Sequence, residues 1–259
     1  MNNVFALAVV VIKELYRRKD FYVLFILTAL ITLLLGSINF FDDDKIVRFI
    51  KEIDMNLIWL SSLVIAVTTT ARQIPSEREN RTIFPLLAKP VSRCEVLLGK
   101  FFGCWLACGL CLVVFYLFFA VISGAKDHSL DVGSYLEGFW LHWVCLAVVI
   151  SFVLWGSIVF AAPSSNSTIS LVLVLGILFV AQHLKKVSLQ LSEPGSTILS
   201  AIYYSVPHLE FFFNVRSLVI HGLPMPSIID IFLATLYGGA YGAFFFLAAW
   251  LSFRNKSLA

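Results

Sequence analysis

Six apolar segments stand out along the chain, near residues 21–38, 55–74, 99–123, 139–162, 167–184 and 229–252. Each approaches the length of about 20 residues that a helix needs to cross the hydrocarbon of a bilayer. A shorter apolar stretch, Val4 to Ile12, precedes them and is followed by Lys13, Glu14, Arg17, Arg18, Lys19 and Asp20. It is too short to span, and it lacks the basic start and small-residue cleavage site of a secretory signal. The pattern predicts a helix over 2–18 lying in the membrane interface. The expected fold is an all-α membrane protein of six spans forming one domain over 1–259. A polar connector at 75–98 and an outer segment at 185–228 complete it.

Composition agrees. The 259 residues are 59% hydrophobic and 14% charged, against about 25% charged in soluble domains. That much apolar surface around a soluble core would emerge as exposed patches. The same numbers exclude a disordered chain, and a net charge of +3 supplies no broad basic field for nucleic acid. Four of the five cysteines (Cys104, Cys108, Cys111, Cys145) lie inside apolar runs and Cys94 in the connector, with no CxxC or zinc-finger spacing. Cys104, Cys108 and Cys111 share a helical face and read as small hydrophobes at a helix contact.

Twelve of the 19 lysines and arginines fall on one side when the N-terminus is placed inside. They include Lys13, Arg17, Arg72, Arg78, Arg93 and Arg254. The positive-inside rule then places both termini in the cytoplasm. The spans themselves carry almost no charge: Glu137 and Asp230 sit at outer ends and His142 just inside the fourth span. Ion-driven carriers place ionisable groups at mid-membrane, and a membrane enzyme needs convergent polar groups. Neither pattern is found, so energy for transport is expected from elsewhere. In the last span Gly238 with Gly242, and Gly239 with Ala243, form overlapping small-xxx-small pairs, read as ordinary helix packing.

The connector between the second and third spans carries the most specific chemistry. Ser76 with Glu79, and Ser92 with Glu95, match the capping box, with Val91 and Val96 spaced as a hydrophobic staple at the second. Thr82 offers another cap, with Pro85 in the first turn and Pro90 at the end. The spacing predicts a short amphipathic helix bearing Ile83, Phe84, Leu86 and Leu87. Such a helix either lies on headgroups and its own spans or docks into a groove of a cytoplasmic partner, with Glu77, Arg78, Glu79 and Arg93 setting register.

Glu77-Arg78-Glu79, Thr82, Leu86-Leu87, Pro90-Val91-Ser92-Arg93 and Leu98-Gly99-Lys100 together resemble the signature of ABC-2 type transporter permeases. The likeness extends to the six spans and the N-terminal helix. Two departures occur: Arg81 stands where the family usually has glycine, and Pro85 interrupts a usually continuous helix. The resemblance implies that Glu77, Arg78, Glu79, Thr82, Phe84, Leu86, Leu87, Pro90, Ser92 and Arg93 form a coupling helix and its flanks. That element receives movement from a cytoplasmic ABC ATPase subunit. It further implies pairing with a second permease copy or paralogue in a bacterial inner membrane, and export by alternating access. The chain has no GxxxxGK[ST], and Gly99-Lys100 is followed by Phe101. No cofactor is therefore expected on this chain; ATP and Mg2+ belong to the partner.

Between the fifth and sixth spans, Thr197–Val206 and Leu209–Ile220 are apolar but too short to cross, with Pro207 between them. By resemblance these are helices dipping partway into the membrane from outside. Tyr203, Tyr204, Phe211, Phe212 and Phe213 read more simply as interfacial anchors. The five histidines (His128, His142, His183, His208, His221) lack i, i+3 or i+4 spacing, and a metal site is not expected. The sequons at Asn80, Asn166 and Asn255 fall on the inner side. A rival reading is a non-transporting membrane scaffold or assembly factor that recruits its partner through the same connector.

Overall fold

The computed structural model describes residues 2–17, 19–37, 44–80, 91–127, 132–214, 216–221 and 227–255. Among them all regular structure is α-helical. The helices are α1 (Asn2–Arg17), α2 (Lys19–Ser37), α3 (Asp44–Ala71), α4 (Pro75–Glu79), α5 (Arg93–Asp127) and α6 (Val132–Val159). They continue with α7 (Pro163–Ser188), α8 (Gly195–Ser205), α9 (Glu210–Asn214), α10 (Arg216–His221) and α11 (Ile228–Asn255). Among the described residues, five stretches are long and apolar enough to cross a membrane: Lys51–Glu79, Arg93–Val121, Val132–Val159, Pro163–Val180 and Ile228–Asn255. They coincide with the second to sixth expected spans, and the first expected span falls on α2.

The helix α6 stands at the centre, packed against α3, α5, α7 and α11. Its buried face carries Leu141, Val144, Cys145, Val148, Val149, Val153 and Leu154. It runs parallel to α11, with Trp140 beside Thr235 at one end and Trp155 beside Ser252 at the other. Close approach depends on Gly238, where an added Cβ would stand 2.5 Å from the Val144 side chain. Gly239, next along, faces open space. The Gly238/Gly242 pair thus serves the α6–α11 contact, an added Cβ at Gly242 standing 3.6 Å from Ser151 Oγ, while Gly239 of the other pair does not.

Helix α1 lies side by side with the beginning of α5 and runs in the same direction. A Cβ at Gly99 would meet Leu7 and the Val4 carbonyl, and one at Gly103 would meet Val11 and Ala8. Val11 and Leu15 join Cys104, Cys108, Cys111 and Phe115 in one buried cluster. The three cysteines of the shared face are thus free thiols packed as small apolar groups. With Gly at both contact points the two backbones come close, so α1 is docked to the helix bundle along its length.

Among the described residues of the outer segment there are three short helices after α7. The piece 197–206 falls mostly on α8, and the described residues of the piece 209–220 include α9 and most of α10. Of the five aromatic residues expected as anchors, Tyr203, Phe212 and Phe213 are buried against protein, while Tyr204 and Phe211 are exposed. Phe212 touches the open side of Gly238, and Phe213 packs edge-on to Trp59 with ring centroids 5.3 Å apart. The segment therefore packs against α7, α6 and α3 and reaches α11 at Gly238, with Phe212 and Phe213 in that contact, while Tyr203 packs on His208 within the segment.

Candidate functional site

At one end of the bundle, α4, the start of α5 and the end of α11 meet; this is the loop end. Helix α3 stops at Ala71, and a tight turn over 72–74 leads straight into α4. Ile74 is fully buried there with Leu97, Leu154, Ile158, Ala249 and Phe253, which pins the turn to the bundle. Pro75 opens α4, where its missing N–H removes no helical hydrogen bond.

The capping box expected at Ser76 is not formed. Ser76 lies inside α4, and its hydroxyl donates to the Arg72 carbonyl one turn back at 2.5 Å. The cap position belongs to Ile74, which makes no side-chain cap. The reason is continuity: the turn carries helical hydrogen bonds from Arg72 and Ile74 into α4, so few donors are left for a serine to cap. The second capping box is formed in full. The Glu95 carboxylate accepts from the Ser92 N–H at 2.7 Å and the Ser92 hydroxyl at 2.9 Å, and the Glu95 N–H donates back to Ser92 Oγ at 3.2 Å. Ser92 thereby fixes where α5 begins.

Both flanks of the loop are tied to the spans by charged side chains. Lys100, buried on α5, donates to Glu77 Oε1 of α4 at 2.7 Å and to Gln73 Oε1 at 3.1 Å. Arg93, in the first turn of α5, donates through Nη1 to the carbonyls of Phe253 at 2.7 Å and Arg254 at 3.0 Å. These are among the carbonyls a helix leaves unpaired at its C-terminus, where a cation also meets the negative end of the dipole. The Arg93 guanidinium lies 5.5 Å from the Phe253 ring centre. A third tie is Asn166 in the first turns of α7. Its amide donates to the carbonyls of Val153 on α6 at 3.2 Å and Ala71, the last residue of α3, at 3.5 Å. Its own carbonyl accepts from Ser170 at 3.1 Å. Gly156 leaves room for it, since a Cβ there would stand 2.3 Å from Asn166 Oδ1.

The structure therefore brings Glu77, Ser92 and Arg93 onto the spans. Arg78 is half-buried and Glu79 exposed. Thr82, Phe84, Leu86, Leu87 and Pro90, with the short helix expected around them, lie outside the described residues. Sequence reasoning missed Gln73, Lys100, Asn166 and the end of α11. Lys100 carried a signal, because a lysine at the head of an apolar run needs a carboxylate or amide once buried. Asn166 was hidden by its reading as a sequon.

A second polar point lies deeper. His142 is completely buried, stacked on Trp59 with centroids 3.7 Å apart and planes 2° from parallel. Its Nε2 pairs with Ser62 Oγ at 2.9 Å, and its Nδ1 lies 3.4 Å from the Tyr116 hydroxyl. Among the described residues no three His, Cys, Asp or Glu side chains converge as a metal site, and His142 is a satisfied core group joining α3, α5 and α6.

A family model described as "ABC-2 family transporter protein" matches residues 8–258, and the chain belongs to that family. It is an integral membrane permease of an ABC transporter, a transport component rather than a catalyst. No curated protein matches the chain.

Proposed function

We propose that this chain is the membrane subunit of an exporter in which a separate ATPase drives alternating access through the connector at 75–98. The observation that carries the reading is the mounting of that connector: each flank is bonded to a span, Glu77 to Lys100 and Arg93 to the end of α11. A load applied between the flanks would pass into α3, α5 and α11 without first stretching a flexible tether. Rigid-body movement of packed helices is the usual way such a load becomes a change of access.

In this reading Thr82, Phe84, Leu86, Leu87 and Pro90 form the apolar helix seated in the ATPase, and Arg78 and Glu79 set its register. The ATPase subunit supplies ATP and Mg2+ binding, and a second permease copy or paralogue completes the pathway. Helix α2 is the first of six spans, since 19 residues at 1.5 Å each extend about 28 Å, close to the thickness of the hydrocarbon. Both termini then face the cytoplasm of a bacterial inner membrane. Helix α1 enters from the inner interface beside the first turns of α5, where Gly99 and Gly103 let the two backbones approach.

The test is a mild-detergent pulldown of the tagged chain, with mass spectrometry and an ATPase assay on the eluate. A stoichiometric ATPase partner, retained by wild type and lost on Leu87→Asp, is the expected result. A folded wild-type chain that elutes without ATPase, or retention unchanged by Leu87→Asp, overturns it.

A further inference from the structure

An open groove of about 540 Å3 runs between α5, α6 and α11. Phe102 and Trp105 line one side, Val144 the other, and Gly239, Ala243 and Leu247 form the floor. Its polar groups are already satisfied within the protein. Ser151 Oγ donates to the Ala147 carbonyl at 2.8 Å, and Thr235 Oγ1 to the Ile231 carbonyl at 2.8 Å. The Trp140 indole N–H donates to Thr235 and that of Trp105 to the Trp143 carbonyl. An occupant is therefore offered apolar contact and no hydrogen bond, which suits a saturated hydrocarbon chain better than a polar solute.

The floor continues toward the loop end into a charged mouth. Gly239, Ala243, Leu247, Trp250 and Arg254 follow at helical spacing and share one face of α11. Arg254 is exposed, with its guanidinium 5.7 Å from the centre of the Trp250 ring. From Arg254 to Gly239 the trough extends about 22 Å along α11, about half of a bilayer of about 40–45 Å counted with its headgroups. An arginine and a tryptophan at the end of an apolar trough complement an anionic headgroup joined to an acyl chain.

We propose that this groove is a binding site for an anionic phospholipid, with an acyl chain along Gly239, Ala243 and Leu247 and the phosphate on Arg254. The site requires only that α11 cross the membrane; the orientation proposed above decides which leaflet it serves. It needs no ATPase, so its failure leaves the coupling reading intact.

Native mass spectrometry on the delipidated full chain tests it, with phosphatidylglycerol and phosphatidylcholine of identical acyl chains as probes. Wild type is expected to retain one phosphatidylglycerol per chain with about fivefold preference, the scale of one basic residue at a lipid surface. Gly239→Trp, which fills open space, is expected to abolish retention of both lipids, with Ala243→Phe as a second plug should the first fail to fold. Arg254→Gln is expected to keep the lipid and lose the preference. Gly176→Trp, also built into open space but on α7, is expected to change neither. Equal retention of the two lipids by wild type overturns the phosphate assignment. Retention unchanged by the folded plugs overturns the site. Plugs that split a dimer while lipid retention persists also overturn it, giving the groove to a second copy of the chain.

Discussion

At the loop end, Lys100, Arg93 and Asn166 each reach another helix through directed hydrogen bonds to a carboxylate or a carbonyl. Toward the opposite end, Trp59, His142, Tyr203, His208 and Phe213 meet mainly through ring faces and edges, with centroids between 3.7 and 5.3 Å apart. The two chemistries respond differently to displacement. A charged hydrogen bond has one good geometry and resists sliding. Stacked and edge-on rings have many arrangements of similar energy. The end that would receive force is thus the one with directional ties, and the end that would open is the one whose contacts can be rearranged.

Separating the two is largely a matter of breaking one kind at a time. The largest effect is expected from Glu77→Ala, which leaves Lys100 buried with only Gln73. Loss of one member of a buried ion pair costs several kcal/mol, here reduced to about 2–3 kcal/mol because the Glu77 side chain keeps 21% of its exposure. Thermal unfolding in detergent measures it. The double variant Glu77→Leu/Lys100→Met is expected to recover most of that stability while lowering transport per ATP hydrolysed. Full coupling in the double variant would show that the tie serves stability alone.

Phe212→Ala at the opposite end is expected to cost about 2 kcal/mol through the cavity it leaves, less than in a water-soluble core because lipid offers little hydrophobic drive. Its transport-to-ATPase ratio should remain that of wild type; a drop as large as that of the double variant would erase the distinction between the ends. Asn166→Ala is expected to cost about 1–2 kcal/mol, since two interhelical hydrogen bonds vanish and Ser170 loses its acceptor. Protection of the Asn166-side end of α7 against hydrogen exchange is the readout. The smallest effect is Ser92→Ala, about 1 kcal/mol from the lost cap, seen as fraying of the first turn of α5 with the rest of the helix unchanged.

The legible part of the site was the part governed by near neighbours. Ser92 and Glu95 formed the expected capping box because their partners are three residues apart and need only a helix start. The same pattern failed at Ser76, because a buried turn at Ile74 made α3 and α4 nearly continuous and moved the cap off the serine. Tyr203, Phe212 and Phe213, aromatic and close to a membrane boundary by sequence, turned inward because α8 and α9 fold back against α7, with Phe212 reaching Gly238 of α11 and Phe213 reaching Trp59 of α3.

By itself the sequence determined that the chain lives in lipid, where its long apolar helices lie, and that no phosphate-binding loop of the Walker type is encoded. These follow from composition and from runs of residues, which are local properties and survive any rearrangement of the helices. Only the tertiary structure decided that Lys100 pairs with Glu77 across 23 residues, that Asn166 reaches Ala71 across 95 and that Arg93 reaches Phe253 across 160. It also decided that Gly239 faces an open groove while Gly238 faces α6. Those pairings depend on which helix faces which. In lipid that is set by shape at glycines and by a few buried polar groups seeking partners, quantities that no window of sequence contains.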